Sequence, residues 1–161
     1  MMQEYEIREF TIGDLDDVYS LVQETIDASY PAFYPPAAVK AFSQYHSPVQ
    51  IKLDAEEGYT VILRIDGRII GTGTLSGTSI KRVFIHPSCQ GKGYGRLVIA
   101  ILEKKAMTHG TSILDLAASL GSQQFYDSLG YRGDIQEFIP VGNGEKLFFY
   151  PMTKTLKDTA N

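Results

Sequence analysis

Residues 80–107 read IKRVFIHPSCQGKGYGRLVIAILEKKAM, and the fold is decided here. An apolar, strand-like run gives way to a loop with glycine at 91, 93 and 95, then to a long segment of helical periodicity. The spacing predicts a helix from Gly95 or Arg96, with Leu97, Val98, Ile101 and Leu102 on one broad face. The glycines leave the backbone bare where that helix begins, and a helix start carries unpaired N–H groups. Such a loop favours an anion, because backbone donors converge on it and the helix dipole adds positive potential. Lys92 and Arg96 add formal charge. The same glycines would also serve a plain tight turn, and their number alone does not separate the two readings. Two better-known phosphate loops are excluded by residue type. A P-loop needs Lys-Ser or Lys-Thr after its last glycine, where Arg96 and Leu97 stand; the dinucleotide fingerprint needs glycine at its sixth position, which Arg96 occupies.

The spacing that fits is Q-x-x-G-x-G, at Gln90, Gly93 and Gly95, directly after a strand ending at His86-Pro87. The run VFIHPSCQGKGYGRL resembles, over its whole length, the acyl-CoA pyrophosphate loop of the GNAT superfamily of N-acyltransferases. The resemblance implies that Gln90 and the backbone amides of Gly91, Lys92, Gly93, Tyr94, Gly95 and Arg96 hold the diphosphate. It also implies that the edge of the preceding strand, at Val83 and Ile85, pairs with the pantetheine arm and polarises the thioester carbonyl. A strand with a free edge can pair with an amide-bearing arm as with another strand.

Residues 119–131, SLGSQQFYDSLGY, match the second half of the family pattern, F-Y-x-x-x-G-Y at Phe125, Tyr126, Gly130 and Tyr131. By resemblance, Tyr126 lies near the thioester sulfur and protonates the departing thiolate. A phenol of pKa about 10 and a thiol of about 8.5 are close enough for short-range transfer. The alternative is that Tyr126 only packs beside Phe125. Ser119 stands where the family often has an asparagine that reaches the pantetheine, and Ser122 where it often has alanine. Ser79 takes the place at which some relatives carry a glutamate base. His86, Glu56, Glu57 or a water relay are the substitutes, and the sequence does not choose among them. An α-amine, with pKa near about 7.7, needs less help than a lysine near about 10.4. Cys89 precedes the predicted helix, where a thiolate is favoured; with no base beside it in sequence, direct transfer to an amine is preferred over a cysteine relay.

Upstream, Tyr5–Phe10 alternates as a strand, and Thr11 caps a helix carrying Leu15, Val18, Val22 and Ile26, with early aspartates complementing its dipole. The run ASYPAFYPPAAVKAF (28–42) is broken by Pro31, Pro35 and Pro36, and Pro36 opens a short helix through Tyr45. Tyr30, Phe33 and Tyr34 cluster in the break. They read either as a hydrophobic plug or, since the segment between the first two helices forms part of the acceptor site in GNAT proteins, as a substrate-pocket wall. Ser47-Pro48 marks another helix start and 54–58 a polar connector. Tyr59–Leu75 is a hairpin about Asp66-Gly67, suited to a type I′ turn, with a bulge or close backbone approach at Gly71 and Gly73. Ile113–Ala117 follows the long helix and is expected to pair parallel with the Ile80 strand. Ser122–Leu129 reads as a short helix, and 131–156 as two strands about Gly142-Asn143-Gly144.

At 161 residues the chain is expected to form a single domain, 1–161, with a substantial core. The expected fold is α/β, a mixed, mostly antiparallel sheet flanked by helices on both faces. A net charge of −4 without any basic run speaks against nucleic acid. No apolar run approaches the ~20 residues of a membrane helix. The N-terminal stretch lacks the order of a signal peptide, and the lone Cys89 excludes an internal disulfide, so a cytoplasmic location is expected. Three histidines and one cysteine, all scattered, give no metal-ligand spacing. The reading is therefore an N-acetyltransferase using acetyl-CoA as acyl donor, without a metal, on a small-molecule or peptide amine. Its rival is a non-catalytic acyl-CoA-binding module. The resemblance admits a homodimer, which the sequence does not specify.

Overall fold

The structure, a computed structural model, describes residues 3–157. Seven strands form one sheet in the order β1-β2-β3-β4-β5-β7-β6. They are β1 (Glu6–Glu9), β2 (Tyr59–Ile65), β3 (Arg68–Ser76), β4 (Ser79–Ile85), β5 (Ile113–Ala118), β6 (Glu137–Pro140) and β7 (Lys146–Thr155). Only β4 and β5 pair in parallel; every other neighbour is antiparallel. Asp66 and Gly67 both have positive φ (52° and 76°), as the I′ turn between β2 and β3 requires.

Alternation sends successive side chains of one strand to opposite faces, and both faces are covered. Val61, Leu63 and Ile65 of β2 join a core with Val98, Ile99 and Leu102 of α4 (Tyr94–Thr108). Ile62, Ile69 and Phe84 join a second core with Val18, Val22 and Ile26 of α1 (Leu15–Ser29) and Ile51 of α3 (Pro48–Glu57). Between them in sequence, α2 (Pro36–Tyr45) packs through Ala38 onto Tyr34 and Leu147, a third cluster joining the helical face to β7. α5 (Gln123–Ser128) follows β5. The fold class expected from the sequence is the one found.

Two boundaries differ from the sequence reading. α4 begins at Tyr94, because Gly93 adopts a left-handed conformation (φ 94°) as the N-cap and so starts the helix one residue early. Residues 54–57 are not a connector but the last turn of α3, in which Asp54 is buried. A polar residue reads as surface until its partner is known, and the partner, Arg82, lies on β4. At Gly73 both expectations hold: the β3–β4 register shifts there, and a Cβ would stand 2.6 Å from Val98 Cγ1 and 3.1 Å from Leu102 Cδ1, so α4 lies directly on the sheet. The early acid Asp14 accepts two bonds from Arg8 (2.8 and 2.9 Å) and one from the Thr11 amide (2.8 Å). The Arg8 contact leads in holding its carboxyl down at about 2. Among the described residues, no helix is long and apolar enough to cross a membrane.

Candidate active site

β4 and β5 stay together for only two residue pairs, Ser79 with Asp115 and Ile80 with Leu116. From Lys81 onward β4 has no strand on its β5 side, while β5 continues to pair with β7 through Ala118. A local irregularity accompanies the parting. Lys81 and Phe84 pair with Thr74 and Thr72, so Arg82 and Val83 together oppose the single residue Gly73. This is a β-bulge, with Arg82 at φ 55°, and bulges bend the strand that carries them.

The gap opens into a cavity of about 540 Å³. Its floor is the exposed face of β4 and β5, at Ser79, Lys81, Asp115 and Ala117; Phe42, Tyr45 and His46 form one wall, and Ile139, Val141 and Phe149 another. A second cavity of about 200 Å³ shares Tyr30, Val83, Phe84, Ser119 and Ser122 with it and reaches Gln90. The two adjoin along β4 through these shared residues and suit one long ligand meeting a second, smaller one.

At the far end of β4 stands the glycine loop. Gly91 and Gly93 both have positive φ (76° and 94°), which only glycine adopts without strain. The first helical bond of α4 runs from the Leu97 amide to the Gly93 carbonyl (3.2 Å), so the amides of Tyr94, Gly95 and Arg96 precede the ladder and have no partner among the described residues. Lys92 and Arg96 are exposed, and neither is ion-paired among the described residues. The Tyr94 side chain is fully buried, so only its backbone can serve the loop. Gln90 donates its side-chain amide to the Ile85 carbonyl (2.9 Å), tying the loop to the strand end. The two sequence motifs touch each other: a Cβ on Gly95 would lie 3.0 Å from Phe125 Cζ, so the Phe125 ring packs closely on the bare backbone of α4's first turn.

Tyr126 lies beside Phe125 on α5, buried, with its ring edge-on to Phe125 and Tyr131 and its side chain lining the larger cavity. Burial pushes its phenol well above the ordinary range, with Tyr30 adding to the effect. Ser119 and Ser122 face each other at 2.6 Å between their hydroxyls. Tyr30 lines both cavities, and burial pushes its phenol up to about 12 against the opposing hydrogen bond of Ser119. Tyr34 is different: its hydroxyl donates to the Phe148 carbonyl (2.7 Å) and accepts from the Leu120 amide (2.9 Å). It staples the loop after α1 to β7 and borders the smaller cavity. Phe33 lies across Gly121, where a Cβ would meet the ring at 2.7 Å, and borders that cavity too.

Neither cavity is lined by His86, Glu56, Glu57 or Cys89. His86 contacts Glu24 (3.1 Å) and Arg68 (3.2 Å), and Glu56 faces Lys52 (3.9 Å). Besides Lys81 on the floor, two more charged residues that the sequence reading passed over line the larger cavity, together with His46. The first, Arg82, is buried at the bulge, donates from Nε to His46 Nδ1 (2.9 Å) and stands 2.9 Å from Asp54. That ion pair is close but poorly aligned, leaving Asp54 Oδ2 and both terminal nitrogens of Arg82 without a hydrogen bond among the described residues. A guanidinium can only donate, so His46 is the tautomer with its proton on Nε2. Burial first and Arg82 second push the ring's pKa down to about 3. His46 is therefore a neutral donor and not a base. The second is Asp115, the only carboxylate among the described residues that line this cavity; it accepts from the Ser79 hydroxyl (2.5 Å) and from Thr78 (3.3 Å). The legible signal for Arg82 was a charge at a core-facing position of an apolar strand. Asp115 carried none, since a lone acid on a strand edge is ordinary.

A family model described as an acetyltransferase (GNAT) domain matches residues 30–156. No curated protein matches the chain significantly. Among solved structures, a GCN5-related N-acetyltransferase from Rhodopseudomonas palustris superposes with a TM-score of 0.88 at 24% identity, over 97% of this chain and 98% of that one. The PaiA N-acetyltransferase of Thermoplasma acidophilum, solved with coenzyme A, gives 0.75 at 15% identity over 96% and 100%. The yncA protein of Salmonella typhimurium, solved with its cofactor acetyl-CoA, gives 0.68 at 16% over 99% and 98%. At these identities the structural likeness is one of fold.

Proposed function

The chain belongs to the acetyltransferase (GNAT) domain family, and from that premise we propose that it moves an acetyl group from acetyl-CoA to a primary amine by direct attack. The observation that carries this reading is the parting of β4 from β5 beside a loop of amides without a partner among the described residues. The residues present fit such a donor. The loop from Gly91 to Arg96, with Lys92 and Arg96 at hand, would hold the diphosphate; the free side of β4 at Val83 and Ile85 and the hydroxyl of Ser119 would hold the pantetheine arm. The whole of 1–161 acts as one acyltransferase domain, since β1 and α1, which carry residues before the matched span, complete the sheet and the second core.

Acetyl-CoA supplies an activated thioester. The β4 amides would orient its carbonyl and meet the charge that develops on oxygen. Tyr126, kept protonated by burial, would donate to the leaving sulfur. A phenol raised this far resists giving up its proton, but a thiolate formed in the same apolar cavity is also desolvated, so its proton affinity rises in parallel. The acceptor enters from the larger cavity, between α2 and the β6–β7 side, with Tyr30 and Phe33 bordering the junction. Its apolar walls suit an amine with an apolar or aromatic body, and the neutral Nε2–H of His46 offers a donor to an oxygen on that body. Calorimetry with acetyl-CoA, followed by thiol release across an amine panel, tests the reading. Binding with release supports it; binding without release for any amine favours the acyl-CoA-binding module.

A further inference from the structure

We propose that Asp115 accepts the proton from the incoming ammonium group, with Ser79 as the residue that positions it; this rests on the acyl-transfer reading above. Asp115 stands opposite Ser79, one pair before Ile80 and Leu116, the last at which β4 and β5 remain joined. Two residues further along β5, at Ala117, the strands have parted and the cavity meets the free edge of β4. On β4, Val83, the first residue given to the donor's arm, lies four positions beyond Ser79, roughly 13 Å at the rise of an extended strand, a gap that the aspartate side chain, the amine itself and ordered water span. The carboxylate is held in place: the Ser79 hydroxyl donates to Oδ1 at 2.5 Å, while Oδ2 receives only the longer 3.3 Å contact from Thr78. Oδ2 is thus the freer oxygen.

The charged and titratable groups around this cavity are Lys81 and Arg82 on β4, His46 after α2, and the phenols of Tyr30, Tyr45 and Tyr126. The β7 residue in register with Asp115 is Thr153, which does not titrate in this range. His46 has its Nδ1 occupied by Arg82 and its proton on Nε2, so it cannot take another proton without placing two donors face to face. Asp115 is left as the acceptor. In the step, one N–H bond of the ammonium breaks, its electron pair stays on nitrogen, and the proton passes to Oδ2 through ordered water. The free amine then attacks.

The test compares wild type, Asp115→Asn and Ser79→Ala by thiol release from pH 6 to 10, with phenethylamine as a strongly basic acceptor and phenylalaninamide as a weakly basic one. In Asp115→Asn, kcat/KM for phenethylamine is expected to fall on the order of a hundredfold at pH 7, within the range of general-base catalysis. The deficit should shrink towards pH 10, where free amine is abundant, and should be smaller for phenylalaninamide throughout. Affinity for acetyl-CoA should hold, and Ser79→Ala should lose less than Asp115→Asn. Equal activity of Asp115→Asn and wild type, or a deficit independent of pH and of amine basicity, overturns the assignment while leaving acyl transfer standing. No turnover of either amine by wild type overturns both.

Discussion

Tyr126 holds its proton because its hydroxyl sits in an apolar wall, and a residue in that condition can only be an acid or a packing element. Removing the hydroxyl separates the two. Tyr126→Phe is expected to lower kcat about tenfold to a hundredfold, since general acids contribute on the order of 10²–10⁴ and a water replaces part of the function. Acetyl-CoA affinity, read by calorimetry, should hold; unchanged turnover would make the residue a packing element. His46 predicts a pH effect on stability. Its folded pKa of about 3 lies below the ordinary value of 6.5, so the unfolded chain takes up a proton that the folded chain refuses. Stability from this group is complete above pH 6.5 and falls as the pH drops towards 3. Between pH 6.5 and 4.5 the loss is about 2 kcal/mol, from 1.36 kcal/mol per pH unit once the unfolded ring is charged. His46→Gln, which keeps an acceptor for Arg82 and a donor for the cavity, should flatten that part of the urea-denaturation profile. A profile as steep as wild type would contradict the buried, neutral ring.

Two glycines test the elements separately, because each is a contact point between different layers. Gly73 lies under α4, and Gly73→Ala should cost about 1–3 kcal/mol of stability, the usual range for overpacking, with coenzyme A affinity nearly intact in what remains folded. Gly95 lies under Phe125, where the two motifs meet. Gly95→Ala should reverse the pattern, weakening coenzyme A binding about tenfold or more, or about 1.4 kcal/mol, with a smaller effect on urea stability. Equal effects of both substitutions on both quantities would deny the loop a role distinct from packing. At this scale the sequence was informative wherever structure is local. The turn at Asp66-Gly67, the strand ended by Pro87 and the helix opened by Pro36 each follow from the conformational limits of a few adjacent residues. The last turn of α3 was illegible for the opposite reason: Asp54 looks solvated until Arg82, 28 positions along the chain, is brought beside it.

For the molecule as a whole, the motif residues could be read because glycine and aromatic spacing carries its own chemistry. The acceptor side could not. Its floor and walls come from α2, β4, β5, β6 and β7, and no periodicity announces that Asp115, His46 and Tyr126 share one cavity. The parting of β4 and β5 is likewise a property of tertiary packing, set where a bulge at Arg82 is pinned by a charge on another element. A donor that fills this gap replaces a missing strand and should stabilise the entire sheet. At a hundredfold excess over Kd, coenzyme A should add about 2.7 kcal/mol, which raises Tm by about 5–10 °C for a chain of this size. The most direct measurement is titration calorimetry of the purified protein with coenzyme A. One-to-one binding, weakened by Gly95→Ala and left intact by Gly73→Ala, is the predicted result; absence of any measurable binding to coenzyme A or acetyl-CoA would contradict the account at its base.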